Sequence, residues 1–455
     1  MTIDSVNPFN GKIIQSYTLH TDEQVNEMIR QSHNAWLQWK NRSFAERGVY
    51  LNNVAQILRR RRSELAELMA IEMGKNLKGG LMEIDKCAVS CEYFAANAEA
   101  ALKEEFIKTD AAKSYVSFQP IGVILAIMPW NFPFWQVFRF LGPALMVGNC
   151  SVLKHASNVF GCAVEIENIL TEAGFPKHVF QTLLIGSNTV ESVIAHPLIQ
   201  AVTLTGSVAA GRRVAEKAGS LIKKSVLELG GSDPYIVLED ADLELAAETC
   251  TNSRLINSGQ SCISAKRMIV VEPVADQFLD LFTKKMASRV MGDPLDPKSD
   301  IGPQARIDLR DELHKQVQES IKKGARCILG GVVPGGNNAL YPPTILTHVK
   351  KGMPAYDEEL FGPAAAVIVV KDEEEAIAIA NDSEFGLGAA IFTNDIDRGE
   401  RIAATRLEAG ACFVNSSVKS DASLPFGGIK HSGYGRELGV YGFKELVNVK
   451  TVYVK

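Results

Sequence analysis

The sequence predicts an α/β protein built from two or three domains. Its 455 residues exceed what one hydrophobic core usually organises. Between residues 22 and 105, apolar side chains recur at about every third or fourth position, which indicates amphipathic helices. From Tyr115 onward, short apolar runs alternate with helical stretches, and this alternation is typical of a parallel sheet covered by helices on both faces.

The N-terminal helices are predicted from two periodic segments, residues 22–39 and 45–74. Gly74 is expected to end the second helix, because glycine readily adopts the left-handed conformation found at helix C-termini. The apolar runs that follow predict a doubly wound parallel sheet. Those runs are VSFQPIGVILAIMPW, FRFLGPALMVGN, CSVLKHAS, VFQTLLIG and AVTLTG.

A second α/β domain is predicted after the turn-rich segment ELGGSDP at 228–234. Its candidate strands are YIVLED, KRMIVVEP, RCILGG, AAAVIVV and ACFVN. Residues around 102–120 and the terminal KTVYVK lack helix periodicity and are expected to form an outlying hairpin and strand. Another subunit could cover the edges of these strands.

Composition narrows the class of protein. The net charge is -5 and the signs are interspersed, so no basic stripe predicts nucleic-acid binding. The sequence begins without an export signal and has no run of about 18 apolar residues, so we expect a cytoplasmic protein that does not cross a membrane. The eight cysteines are scattered without CxxC pairs, which predicts reduced thiols and no metal site.

Three polar residues are candidates for chemistry. Cys262 lies in NSGQSC, where turn-forming residues could present a thiolate nucleophile, although a lone cysteine is more often a small buried apolar residue. Glu228 lies in an apolar run before two glycines, where it could be a general base or cap a neighbouring loop. Asn131, in PWNFP, could cap a helix or donate to an oxyanion.

Nucleotide binding has a weaker signal. The fingerprint GxGxxG is absent, and the similar segment at 433–439 has the wrong spacing. Residues 204–207, LTGS, precede a helical AAGRRVAEKAG, and free backbone N–H groups at such a turn could meet a pyrophosphate. The same pattern also fits a capped helix with no ligand.

Six motifs resemble those of the aldehyde dehydrogenase superfamily: PWNFP, TGS, LELGG, GQSC, ELFGP and PFGGIKHSGYGREL, in that order and at similar intervals over the whole chain. The resemblance implies a variant Rossmann cofactor domain at 1–101 and 121–230, and an α/β catalytic domain at 231–435. It also implies a small oligomerisation element at 102–120 and 436–455. A homodimer or homotetramer is therefore expected.

The resemblance also implies the reaction. An aldehyde would become a carboxylate with NAD or NADP through a thioester on Cys262, with Asn131 and the Cys262 backbone N–H as oxyanion donors and Glu228 as the base. Several residues are implied to contact the cofactor. They are Lys154 at the adenosine ribose, Gly206 and Ser207 at the pyrophosphate, Glu359 at the nicotinamide ribose, and Ile127, Trp130 and Phe361 as packing residues.

The substrate is predicted from a lone cation. Arg139 stands in the apolar run FWQVFRFL, at a position where the succinate semialdehyde dehydrogenases, a bacterial NAD(P)-dependent group that this chain resembles, also carry arginine. A guanidinium can bind both oxygens of a substrate carboxylate, but a buried structural ion pair is the alternative. Ser420 is expected on the opposite wall of the pocket, and Asp421 could repel the substrate if it points inward. Glutarate semialdehyde and general aliphatic aldehydes remain alternatives.

Ser157, in KHAS, predicts the cofactor. NAD-preferring relatives often carry a glutamate there, which repels a 2′-phosphate, so serine favours NADP while still accepting NAD.

Two other functions stay open: a thiol hydrolase without redox chemistry, and a binding protein that keeps the fold. The cofactor residues argue against the first, and the intact Cys262, Glu228 and Asn131 argue against the second. A CoA-acylating enzyme is a closer rival, but Glu228 fits water as the acyl acceptor.

Overall fold

The computed structural model describes all 455 residues. Three short 3-10 helices lie at Ser157–Val159, Ser187–Thr189 and Ile256–Gly259. The fifteen α-helices are α1 Asp22–Trp39, α2 Phe44–Arg60, α3 Arg62–Met73, α4 Leu77–Ala101, α5 Trp135–Val147, α6 Phe160–Glu172, α7 Val190–Ala195, α8 Val208–Ser220, α9 Leu243–Leu255, α10 Glu272–Ala287, α11 Ile307–Lys322, α12 Pro354–Asp357, α13 Glu373–Asn381, α14 Ile396–Thr405 and α15 Gly439–Glu445.

The strands form three larger sheets and two short pairs. They are β1 Thr2–Val6, β2 Ile13–Thr18, β3 Glu105–Phe106, β4 Lys113–Pro120, β5 Val123–Met128, β6 Cys150–His155, β7 Phe180–Thr182, β8 Ile199–Thr205, β9 Lys224–Glu228, β10 Pro234–Val237, β11 Arg267–Val271, β12 Arg326–Leu329, β13 Thr344–Thr347, β14 Ala364–Val370, β15 Phe385–Gly386, β16 Gly388–Phe392, β17 Ala411–Val414, β18 Ile429–Lys430, β19 Gly433–Tyr434 and β20 Val447–Val454. The α/β class is confirmed.

Local sequence signals explain where the first helices begin and end. The side chain of Thr21 caps α1 and that of Ser43 caps α2, each within a reciprocal capping box. Gly74 ends α3 with φ of 78°, as expected from glycine's tolerance of the left-handed region. The segment 45–74, expected as one helix, is divided at Arg61 into α2 and α3.

The first large sheet has the order β19-β9-β8-β5-β6-β7, and all its strands except β19 run parallel. Four of the five apolar runs expected there contribute strands to it. The fifth, FRFLGPALMVGN, is wrong as a strand, because most of it lies in the fully buried helix α5. A continuous apolar run does not distinguish a buried strand from a buried helix. The parallel strands place their carboxyl ends at one edge, where ligands bind in open α/β sheets.

The second large sheet has the order β12-β13-β14-β11-β10-β16-β17, parallel except for β12. All five strand candidates correspond to strands here, and β13 and β16 are additional. Its two faces are covered by separate apolar clusters of 23 and 20 buried residues. The strand β11 follows directly after the predicted nucleophile, so this sheet carries the catalytic segment.

A third, antiparallel sheet has the order β20-β4-β3 and pairs the C-terminal strand with the hairpin near residues 105–120. The division into three domains stays a prediction. The sheets follow it except at β19, which pairs with β9 of the first sheet although residues 433–434 were assigned to the catalytic domain. None of the helices is both long enough and apolar enough to span a membrane.

Candidate active site

Most of the motif residues lie at the carboxyl edge of the first sheet. Ile127 at the end of β5 is in register with Lys154 of β6 and Leu204 of β8. Asn131 follows β5, and Glu228 is the last residue of β9. The turn after β8 is tied to this edge because the N–H of Gly206 donates to the Glu228 carbonyl at 3.0 Å.

The segment before Cys262 has an unusual backbone. Asn257, Ser258 and Gly259 have φ values of 51°, 56° and 79°, all in the left-handed region that costs free energy for residues other than glycine. Gly259 also packs against Gly362, where an added Cβ would lie 2.2 Å from the carbonyl carbon. Glycine at 259 is therefore required both by conformation and by space.

Buried cations hold this loop in place. Lys266 is 1% exposed, and its Nζ donates to the carbonyls of Ser261 at 2.8 Å and Cys262 at 2.7 Å. Arg254 is also buried, and its guanidinium donates to the Gly259 carbonyl at 2.6 Å. Sequence reasoning missed both residues. Lys266 could have been noticed as a charged residue at the start of KRMIVVEP, the strand candidate that follows GQSC.

The surroundings of Cys262 favour the protonated thiol. Burial raises its pKa to about 12, although the positive charges of Lys266 and Arg139 act in the opposite direction. A nucleophilic thiolate at neutral pH therefore needs a base that takes the proton as reaction begins.

Asn131 lies beside the nucleophile segment. Its side-chain amide donates to the Gln260 carbonyl at 3.1 Å, and its own carbonyl accepts from the Asn257 amide at 2.6 Å. The backbone N–H of Cys262 makes no hydrogen bond within the protein. The Cys262 N–H and the second N–H of the Asn131 amide are thus free to donate to an oxygen that gains negative charge.

Glu228 is a buried carboxylate, and neither of its side-chain oxygens has a hydrogen-bond partner. Burial raises the pKa of Glu228 well above its usual value, the charge of Arg139 opposes the shift and the charge of Glu437 adds to it. A carboxyl group with a raised pKa and free oxygens can accept and return protons near neutral pH.

Arg139 forms a buried ion pair, which the sequence analysis left open as the alternative to substrate binding. Its guanidinium, which is 2% exposed, forms an ion pair with Glu437 and donates to Thr205 at 3.1 Å. The ring of Phe426 lies 4.9 Å from the guanidinium carbon. The Glu437 partner was not foreseen, because it lies in the last motif of the chain. The substrate role of Arg139 stays a prediction.

Ser420 is buried and has a cation as its neighbour. Its hydroxyl accepts a hydrogen bond of 2.8 Å from the ammonium of Lys86 on α4. Asp421 is exposed, and its carboxylate accepts from the backbone N–H and the hydroxyl of Ser423 at 2.9 Å and 2.7 Å. The Asp421 side chain thus points outward, toward its own turn, whereas the sequence had left its orientation open.

The residues predicted to contact the nicotinamide include two aromatic rings and an acid. The rings of Trp130 and Phe361 meet edge to face with centroids 5.7 Å apart. Glu359 accepts from the backbone N–H of Gly231 at 3.1 Å and lies 3.3 Å from the Lys266 ammonium. The predicted nicotinamide contact is therefore linked to the lysine that supports the Cys262 loop.

The residues predicted to contact the adenosine half of the cofactor are polar, and some have few partners within the protein. The partly buried ammonium of Lys154 has no ion pair or hydrogen bond within the chain, and burial lowers its pKa. Ser157 is half-buried three residues later, at the start of a 3-10 helix. Ser207 is exposed and caps α8 by accepting from Ala210 at 3.3 Å. These groups fit a phosphorylated nucleotide, whose oxygens would accept hydrogen bonds from them.

The chain is similar to known proteins over its full length. The model of the aldehyde dehydrogenase family matches residues 1–452. The chain is 47% identical to a probable succinate-semialdehyde dehydrogenase (NADP(+)) of Synechocystis sp. and 44% identical to succinate-semialdehyde dehydrogenase (NADP(+)) 1 of Mycobacterium tuberculosis, each over the full length of both chains. The crystal structure of succinic semialdehyde dehydrogenase from Streptococcus pyogenes with NADP+ superposes with a TM-score of 0.97 at 38% identity, covering 99% of both chains.

Proposed function

This chain belongs to the aldehyde dehydrogenase family, and we propose that it oxidises succinate semialdehyde to succinate with NADP as the preferred cofactor. The observation that carries the proposal is that Asn131 and Glu228 lie at the carboxyl edge of the first sheet, and that the Asn131 amide donates to the carbonyl of Gln260, two residues before Cys262. The succinate-semialdehyde dehydrogenases that the chain resembles support the choice of substrate. The three residues have the roles expected from the family resemblance.

The first step is the addition of Cys262 to the aldehyde. The thiol releases its proton to water, and the thiolate sulfur forms a bond to the carbonyl carbon. The carbonyl oxygen takes the electron pair of the C=O double bond, and the Asn131 amide and the Cys262 N–H donate to it. Each such donor contributes about 3–4 kcal/mol in comparable sites.

The cofactor completes the oxidation. A bound NADP would supply the acceptor for the hydride that leaves the carbon attached to the Cys262 sulfur. Trp130, Phe361 and Ile127 would pack on the nicotinamide ring, Glu359 would accept from the ribose hydroxyls, and Gly206 and Ser207 would hold the pyrophosphate at the N-terminus of α8. The re-formed C=O group leaves a thioester on Cys262.

Hydrolysis of the thioester regenerates the free enzyme. Glu228 takes a proton from a water molecule as the water oxygen attacks the thioester carbon. The bond to sulfur breaks, the sulfur leaves as a thiolate and regains a proton, and the product departs as a carboxylate. The raised pKa of Glu228 supports this role, because the group must hold the proton after taking it.

The cofactor preference is proposed from the adenosine side. Ser157 brings no negative charge to the site of a 2′-phosphate, and Lys154 offers an ammonium with no partner in the protein. NADP is therefore expected to be preferred while NAD is still accepted.

We also propose a homodimer or homotetramer in which the β20-β4-β3 sheet takes part. The exposed apolar side chains of Phe106, Val449 and Tyr453 on this sheet support it. A cytoplasmic location is proposed because none of the eight cysteines forms a disulfide. Glutarate semialdehyde and neutral aliphatic aldehydes remain the alternative substrates.

A panel of aldehydes assayed with NADP and NAD tests the proposed function. Purified protein is mixed with succinate semialdehyde, glutarate semialdehyde and butanal, and reduced cofactor is followed by absorbance. We expect the largest kcat/KM with succinate semialdehyde and NADP. A higher kcat/KM with butanal would refute the semialdehyde assignment. Formation of an acyl-CoA when CoA is added would assign the chain to the CoA-acylating enzymes instead.

A further inference from the structure

The peptide group that joins Ser261 to Cys262 has its two polar ends in different surroundings. Its carbonyl oxygen, on Ser261, accepts from the Lys266 ammonium at 2.8 Å and from the Ser264 hydroxyl at 2.9 Å. Its N–H, on Cys262, has no partner within the protein. All peptide bonds of the chain are trans, and in a planar trans peptide the C=O and N–H bonds point in opposite directions. Holding the carbonyl therefore also fixes the direction of the Cys262 N–H.

The Lys266 ammonium is itself held by three oxygens. Besides the Ser261 carbonyl, it donates to the Cys262 carbonyl at 2.7 Å and lies 3.3 Å from the Glu359 carboxylate. Burial lowers the pKa of Lys266, and the charges of Glu359 and Asp233 oppose this shift. A compact ammonium has three donors, so these oxygens leave it little freedom to turn elsewhere.

The Ser264 hydroxyl is oriented by a second cation. Arg254 donates to the Ser264 oxygen at 2.8 Å, and both side chains are fully buried. A guanidinium can only donate, so the hydroxyl directs its own proton elsewhere, and the Ser261 carbonyl is the acceptor. The carbonyl thus ends a chain of hydrogen bonds that begins at a positive charge.

These donors act on the strength of the Cys262 N–H as well as on its direction. Hydrogen bonds to a carbonyl oxygen draw electrons toward it and leave the N–H of the same peptide more positive, and successive hydrogen bonds polarise one another in this way. The effect is largest where water is excluded, and Ser261, Ser264 and Lys266 are each at most 2% exposed.

We propose that Lys266 and Ser264 are positioning residues for the oxyanion donor: by holding the Ser261 carbonyl, they aim and strengthen the Cys262 N–H toward the oxygen that gains negative charge. They act through the peptide group and not on the substrate itself. This inference rests on the proposed function, because it needs a reaction in which an oxyanion forms beside Cys262.

Ser264→Ala tests the hydroxyl, because it removes one donor to the carbonyl without removing a charge. Ser320→Ala is the matched control, since the Ser320 hydroxyl is equally buried, donates to the Gln316 carbonyl at 2.8 Å and accepts from the Ala355 N–H at 3.0 Å. The first turnover of NADP reduction by succinate semialdehyde is followed by stopped flow. We expect its maximal rate to fall about fivefold in Ser264→Ala and to stay within about twofold in the control, with half-saturating aldehyde nearly unchanged in both.

Lys266→Met tests the ammonium, and Lys223→Met is its control. Lys223 also donates to two backbone carbonyls, those of Ile194 and His196, at 2.6 Å and 2.7 Å. We expect the first-turnover rate to fall about 30-fold in Lys266→Met alone, less than the roughly 100- to 1000-fold loss when an oxyanion donor is removed outright.

Alkylation separates the oxyanion from the thiolate. The charge of Lys266 also lowers the pKa of Cys262, so its loss slows every reaction of the thiolate. Iodoacetamide alkylates the thiolate without forming an oxyanion, and the rate at Cys262 is measured on its peptide by mass spectrometry. In Lys266→Met the rate of NADP reduction should fall more than the rate of alkylation, and in Ser264→Ala the dependence of alkylation on pH should not change.

Two outcomes would overturn the inference. One is a fall in NADP reduction no larger than the fall in alkylation in Lys266→Met, and the other is a first-turnover rate in Ser264→Ala equal to that of Ser320→Ala. If Lys266→Met does not fold, the Ser264 comparison decides by itself. A wild-type protein that reduces no NADP with any aldehyde would instead refute the proposed function.

Discussion

The nucleophile loop and the residues predicted to bind substrate both lie beside cations that are at least partly buried, but these cations have different partners. In the loop, Lys266 donates to two backbone carbonyls and thereby fixes the path of the chain. On the substrate wall, Arg139 is paired with an acid, and Lys86 contacts only a hydroxyl and a ring. The contrast shows that the partners of a buried cation, more than its burial, indicate whether it supports the backbone or is available to a ligand.

The two regions should therefore respond differently to substitution. Changes in the loop alter the reacting atoms and should affect every aldehyde alike. Changes at residues predicted to bind the substrate carboxylate should affect aldehydes that carry a carboxylate more than those that do not. Arg139 does not belong to either case alone, because its charge lowers the pKa of both Glu228 and Cys262.

The largest effect is expected from Cys262→Ala. Without the sulfur no covalent adduct forms, so turnover should be lost with succinate semialdehyde and with butanal. NADP binding, measured by calorimetry, should persist because the cofactor contacts lie on other segments. Turnover close to that of the wild type would remove the basis of the mechanism.

Arg139→Met should damage both regions. Removing one partner of a buried ion pair leaves the Glu437 carboxylate uncompensated, at a cost of about 3–5 kcal/mol in the free energy of unfolding. Loss of the positive charge should also raise the pKa of Glu228 further. Denaturant unfolding measures the loss of stability, and kcat/KM for both aldehydes measures the loss of activity.

The two roles considered for Arg139 differ in the pattern of loss. We expect similar falls in kcat/KM for succinate semialdehyde and butanal. A fall confined to succinate semialdehyde, with unchanged stability, would instead assign Arg139 the direct contact with the substrate carboxylate.

Ser157→Glu tests the cofactor side, away from both regions. A carboxylate there should repel the 2′-phosphate, so the ratio of kcat/KM for NADP to that for NAD should fall at least about tenfold, equivalent to about 1.4 kcal/mol. Ser157→Ala is the matched control, since it adds no charge. An unchanged preference in Ser157→Glu would mean that other residues read the adenosine end.

What the sequence predicted depended on whether a residue lay in a motif. The positions of Cys262, Asn131 and Glu228 followed from short segments, and the strand and helix alternation predicted both large sheets. Lys86 could not be found in this way, because its partner Ser420 is 334 residues away in the chain. Arg139 was recognised as a lone cation, but its acid partner lies in the last motif. A sequence shows which side chains are present, and the fold decides which of them meet.

The most direct test of the account is to trap the covalent intermediate. Glu228→Gln is mixed with NADP and succinate semialdehyde, and the intact protein and its peptides are analysed by mass spectrometry. The account predicts a burst of reduced cofactor followed by slow turnover, and a succinyl group attached to Cys262, because the amide cannot take the proton from water. Equal losses of burst and steady-state rate, with Cys262 unmodified, would contradict the thioester mechanism and the role of Glu228 in its hydrolysis.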